Sequence, residues 1–212
     1  MKFTPLTKKI VQIVGILAGA LLLVLLAVYL IFGRKPKAEH TAAGAEDFAD
    51  MSLNAFKKDD PVLNGELMKE YDFTVLEIWY PESADCISYI GEMNMFAEEC
   101  LHRADEMYAY VTGVCIHLND ASGRPDPERL SVAREAVEQE VPIFPQYIAD
   151  VKTEKALKSL NVKEYPTVIF LNRQGRVLDM VTGQSGSELC ETLDGLVDEY
   201  MKEKRKAERE GK

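Results

Sequence analysis

Four cysteines are the residues of this 212-residue chain best suited to covalent chemistry, and Cys86 has the most suggestive setting. It follows an apolar, β-branched run, Phe73-Thr74-Val75-Leu76-Glu77-Ile78-Trp79-Tyr80, and a short polar loop opened by Pro81. An amphipathic helical pattern begins just after it. A strand that delivers a thiol to a helix N-terminus places it among unpaired backbone N–H groups at the positive end of the dipole. A thiolate is favoured there, so the expectation is a lowered thiol pKa at Cys86. Cys100, Cys115 and Cys190 lie in periodic apolar settings and are expected as core thiols. His40, His102 and His117 show no ligand spacing, so no metal and no cofactor is expected.

The elements that must position Cys86 are legible from periodicity. Glu66–Tyr71 reads as one helical turn leading into the strand Phe73–Tyr80. Ile90, Met93, Ala97, Cys100, Leu101 and Ala104 recur at helical spacing within 87–110. A buried-type strand follows at Tyr110–Leu118. Asp126-Pro127 supplies an N-cap and a first helical residue for a helix with the stripe Leu130, Ala133, Val137, Val141. Pro142–Ile148 reads as a strand and Thr153–Leu160 as a short helix. Tyr165-Pro166-Thr167 then leads into Val168–Leu171, and the turn Asn172–Arg176 joins this to Val177–Val181 as a hairpin. A last helix starts near Ser185 or Ser187 and buries Leu189, Leu193, Leu196, Val197 and Tyr200.

Composition bounds the function. Formal net charge is -10, yet the first 37 residues hold six basic side chains and no acidic ones, leaving 19 basic and 35 acidic in the rest. So acidic a body repels phosphate backbones, which excludes nucleic acid as a partner. Ile10–Phe32 is a 23-residue uncharged apolar segment. At ~1.5 Å per residue it reaches about 34 Å, enough to cross a hydrocarbon core. It is longer than a cleavable signal's apolar region and lacks an obvious small-x-small site. The organisation expected is therefore a short cytoplasmic tail at 1–9, a signal anchor at 10–32, a stalk at 33–60, one globular domain at 61–201 and a charged extension at 202–212 that frays. Basic residues flank the anchor almost evenly. A short N-terminal tail usually stays inside, so the domain is expected outside the cytoplasm on a single-pass membrane protein.

Taken together, the order of elements resembles the thioredoxin fold: a mixed α/β sheet flanked by helices, with the helix and strand at 126–148 similar to the insertion of membrane-anchored TlpA/ResA-type thiol–disulfide oxidoreductases. The resemblance rests on Val75–Trp79 before the site, Val141-Pro142-Ile143-Phe144-Pro145 as the inserted strand, Tyr165-Pro166-Thr167 as the cis-proline, and the hairpin at Asn172–Val177. It covers roughly residues 60–200 and implies partners that are protein thiols or disulfides, or a membrane or extracytoplasmic protein. It also implies a substrate groove lined by Trp79, Tyr80, Tyr165 and Pro166, whereas the residues alone read Trp79 as packing under the loop and leave Pro166 open to a purely structural role.

The departure from the family lies at the site. The family carries Trp-x-x-x-Cys-x-x-Cys. Counting from Trp79 puts the first position at Ser83 and the second at Cys86. Counting back from Gly91-Glu92-Met93 puts Cys86 first and Tyr89 second. In either register one cysteine of the pair is missing. A dithiol attacks with one sulfur and releases the mixed disulfide with its neighbour, so a single thiol stalls halfway. Cys100 lies on the same helix about 21 Å from Cys86, beyond disulfide reach. On these residues the chain is a weak or inactive dithiol reductase whose remaining thiol is Cys86. The alternatives are a non-catalytic binding or assembly module on the same fold and a monothiol peroxidase. For the last, Trp79-Tyr80-Pro81 and Ser83-x-x-Cys86 resemble peroxiredoxin elements set two residues too close.

Overall fold

A computed structural model describes residues 48–120 and 122–210. The apolar segment 10–32, with the tail before it and most of the stalk after it, lies outside the described residues. Among the described residues no helix is long and apolar enough to cross a membrane.

The centre is the strand Phe73–Trp79, every residue of which is buried. Two short strands precede it, β1 (Ser52–Leu53) and β2 (Leu63–Asn64), paired antiparallel. The helix α1 (Gly65–Lys69) follows them, capped by the Asn64 side chain, which accepts from Glu66 N–H at 3.0 Å and Leu67 N–H at 2.9 Å. Phe73–Trp79 is thus β3. It runs parallel to β4 (Ala109–Cys115), with Phe73 opposite Ala109 and Trp79 opposite Cys115. On its other side it runs antiparallel to β6 (Thr167–Asn172). The edges are β5 (Gln146–Ile148), parallel to β4, and β7 (Val177–Thr182), antiparallel to β6. The sheet order is β5-β4-β3-β6-β7. The parallel pairs need crossovers, supplied by α2 (Ala84–His102) and α3 (Pro127–Glu140). Two more helices, α4 (Val151–Ser159) and α5 (Gly186–Glu210), complete the unit.

Both faces of β3 are covered, which is why its sequence is a nearly continuous apolar run instead of an alternating one. Leu76 and Ile78 point to a cluster with Leu157, Leu160, Met68 and the N-terminal residues Phe48, Met51 and Leu53. Phe73 and Val75 point the other way, to Ile90, Met93 and Phe96 of α2 and Leu189 and Leu193 of α5. Trp79 continues that second face into a smaller cluster with Cys86, Cys115 and Ala133.

Several boundaries differ from the sequence reading. The stalk, bounded at residue 60 but expected to meet the domain near Met51–Phe56, joins the packed unit by Phe48: its backbone N–H bonds Gly175 O at 2.9 Å, and Phe48, Met51 and Leu53 are all buried. The strand expected over Pro142–Ile148 is restricted to Gln146–Ile148. Pro142 and Pro145 have no N–H to give to a ladder. Val141 turns left-handed as the cap of α3, and Ile143 N–H goes to Asn94 Oδ1 at 2.9 Å. The charged terminus is helical as far as Glu210, with Lys206 and Glu210 3.9 Å apart on one face.

Candidate functional site

The loop after β3 ends at Ser83, which is extended (φ -104°, ψ 114°) and caps α2. Its Oγ accepts the Cys86 backbone N–H at 3.3 Å, and its carbonyl accepts the Ile87 N–H at 3.1 Å. Ser83 therefore stands at the helix mouth, with Cys86 inside the first turn. Counting from Trp79 names these same two residues as the first and second positions of the motif. Tyr89 lies almost a turn deeper, buried, with its hydroxyl bonded to the Gln184 carbonyl.

Cys86 is sealed, at 0% exposure. Burial is the largest influence on its thiol and pushes the pKa up, with Glu77 and Asp85 adding to the rise; hydrogen bonding to Ser83 and to the Tyr80 backbone opposes it and loses. The expected lowering at a helix N-terminus is therefore overturned: desolvation of the thiolate outweighs the dipole. Cys115 is equally sealed, in the same cluster, and its pKa is driven further up by burial. A second sulfur thus does share the neighbourhood of Cys86, contributed by β4 and not by α2. Both thiols are free, and neither reaches solvent. Cys100 is buried as expected, whereas Cys190 is only half-buried.

Trp79 does not line a groove. It is 0% exposed, and its indole N–H donates to Gln146 Oε1 at 2.9 Å. Gln146 reaches it across Gly113, where a Cβ would come within 2.0 Å of the same Oε1. The tryptophan is fixed as packing beneath the loop, because its ring fills the gap between β3, α2 and α3.

Glu77 is the residue the sequence reading passed over. It shares the face of β3 occupied by Val75 and Trp79, under α2. Both carboxylate oxygens are buried without a hydrogen-bond partner, and desolvation raises the pKa to about 8. Its charge is felt by Cys86, Tyr89 and Cys115. The available signal was an acid within an otherwise apolar strand, a placement costly enough to mark a site.

The exposed part of the site is aromatic. The rings of Tyr80, Tyr165 and His117 meet edge-on, with centroids 5.6 Å (Tyr80–Tyr165), 5.8 Å (Tyr80–His117) and 6.3 Å (His117–Tyr165) apart. Tyr80 and Tyr165 are half-buried and His117 is exposed. His117 has a left-handed backbone (φ 61°). It is pinned there by its N–H to Glu154 Oε1 and by Arg129 Nη1 to its carbonyl, each at 2.9 Å. Sequence spacing gave no reason to join His117 to Tyr80 and Tyr165; adjacency of strand ends in the sheet does so. Pro166, buried beside Tyr165, follows a cis peptide bond. Among the described residues no group of three or more His, Cys, Asp or Glu could hold a metal ion.

No protein-family model matches this chain, and no curated protein matches it in sequence. Solved structures do. The thioredoxin domain of a thiol-disulfide oxidoreductase from Bacteroides vulgatus superposes with TM-score 0.52 at 16% identity, covering 74% of this chain and 99% of that one. A thiol-disulfide oxidoreductase from Bacteroides fragilis gives TM-score 0.53 at 13% identity over 71% and 98%. A thiol:disulfide interchange protein from a Bacteroides species gives 0.50 at 14% over 73% and 91%. At such identities the likeness speaks for architecture, and the architecture it speaks for is the one built above: this chain has a thioredoxin-like α/β fold, with a mixed sheet and helices on both faces.

Proposed function

We propose that this protein is a membrane-tethered, extracytoplasmic module of thiol–disulfide oxidoreductase descent that has lost dithiol exchange and holds a protein segment at the face formed by Tyr80, His117, Tyr165 and Pro166. The observation that carries this reading is Ser83 at the cap of α2 above a sealed Cys86. Exchange begins with an accessible thiolate attacking a disulfide. Here the helix-mouth position holds a hydroxyl, and the two sulfurs beneath it, Cys86 and Cys115, are both buried with their pKa values raised. The same sealing removes support from a peroxidase, which also needs an exposed thiolate. The binding face is supported by its three rings, Tyr80 and Tyr165 half-buried and His117 exposed, which offer apolar area with polar tips. Tethering and orientation are supported by the uncharged segment 10–32 and its flanking lysines and arginines.

Reduction of insulin disulfides tests the reading directly. The wild-type chain should run at background, and Cys86→Ala should change nothing. Ser83→Cys should raise the rate above background, because it places a thiol at the helix mouth three residues before Cys86. Wild-type reduction that disappears in Cys86→Ala would overturn the proposal. Protease added to sealed cells should remove the globular domain if it lies outside; protection would refute the orientation.

A further inference from the structure

Away from this site, α5 runs beside α2, and two contacts fix their register. Near its start the Gly186 N–H donates to Glu92 Oε2 at 3.1 Å, and a Cβ at 186 would lie 2.9 Å from the Glu92 carbonyl oxygen. The two backbones therefore approach as closely as glycine permits. Further along, Arg103 Nη1 meets Asp194 Oδ1 at 2.5 Å. Both chains advance in the same direction between these contacts, so the helices are parallel. Cys100 lies about one turn before Arg103, and Cys190 about one turn before Asp194. Counted from the Arg103–Asp194 contact, the two cysteines lie at similar levels of adjacent helices, Cys100 inside one apolar cluster and Cys190 packed against it. Cys100 is 4% exposed, Cys190 is half-buried, and both are free. Burial is the largest influence on both thiols and raises both pKa values, that of Cys100 to about 12, so Cys190, the less buried, is the thiol that starts exchange; Cys100 also feels Cys190, which supports their closeness.

We propose that Cys100 and Cys190 are a redox-convertible pair that closes into an intramolecular disulfide bracing α5 against α2 when the protein meets a small-molecule disulfide such as oxidised glutathione. Cys190, the outer thiol, loses its proton and attacks one sulfur of the oxidant, and the first glutathione leaves as a thiolate that takes up a proton. Cys100 then loses its proton and attacks the Cys190 sulfur of the mixed disulfide. The Cys100–Cys190 bond forms and the second glutathione leaves. Two protein thiols are oxidised, and one disulfide is reduced to two thiols. A disulfide needs Cα atoms within about 7 Å, so closure depends on the helix packing that the Arg103–Asp194 contact marks one turn away.

The test uses the full wild-type chain under native conditions, incubated with oxidised glutathione, quenched by alkylation and mapped by proteolysis and mass spectrometry. The expected result is a peptide containing Cys100 joined to one containing Cys190, with faster migration on a non-reducing gel that dithiothreitol reverses. Cys190→Ser should abolish both. Three outcomes would overturn the proposal: both thiols still alkylated after oxidation and unfolding, glutathione retained on Cys190 with Cys100 free, or Cys190 joined only to a second chain.

Discussion

Replacing Glu77 with glutamine should make the protein more stable, increasingly so as pH rises. The carboxyl is fully buried and has no hydrogen-bond partner. Its pKa is about 8 in the folded protein against an ordinary 4.5. Above 4.5 the unfolded chain releases this proton while the folded one retains it, so the folded state binds more protons and stability falls as pH rises. The loss begins near the unfolded value and levels off above the folded one. At about 1.4 kcal/mol per pKa unit it amounts to roughly 3 kcal/mol by pH 7 and about 5 kcal/mol once the folded carboxyl has ionised. Glutamine keeps the shape and carries no proton to lose, so the variant should lack this slope. Urea unfolding of both proteins from about pH 5 to pH 8.5 measures it. With a denaturant slope of about 2 kcal/mol per molar, the wild-type midpoint should drop by roughly 1.5–2.5 M relative to the variant across that range. Parallel midpoints for wild type and Glu77→Gln at every pH would refute the reasoning, because the carboxyl would then titrate alike in both states.

Gly113→Ala should cost about 1–3 kcal/mol, because the new methyl collides with the Gln146 side chain; the chain's single tryptophan, held by that side chain, should report the change as altered fluorescence, and an unchanged spectrum and midpoint would contradict the packing described. Asp72 accepts from the Tyr108 N–H, the Arg173 guanidinium and the Tyr200 hydroxyl, and although burial raises its pKa most, these donors together win and lower it. Its stabilising contribution is therefore present above the ordinary carboxylate range and lost as pH falls through the folded value. Asp72→Asn should be less stable at neutral pH and less sensitive to acid than wild type, as judged by thermal unfolding; equal acid sensitivity would count against the network.

Much of this fold is written in local pattern. The run Phe73–Trp79 announces a buried central strand, Asp126-Pro127 caps a helix where expected, and Val168–Leu171 with Asn172–Arg176 gives a hairpin. Such features depend on neighbours within a few residues, and the sequence holds them completely. Missing the second cysteine three residues from Cys86 is equally plain in the letters, whatever the fold. What the letters could not hold is depth. Cys86 looked like an activated thiol because its helix end was visible and the elements that cover it were not. Trp79 reads from sequence as packing under the loop or, by resemblance, as a groove wall, and only Gln146, 67 residues away, shows what holds its N–H. His117 gained a role only when the ends of β3 and β4 were set side by side, and Val141–Pro145 failed as a strand because Asn94 of another helix claimed an amide. Residue type and spacing decide which backbone forms. Proton affinity and access at a side chain depend on everything packed around it, and those surroundings come from distant parts of the chain that only folding brings together.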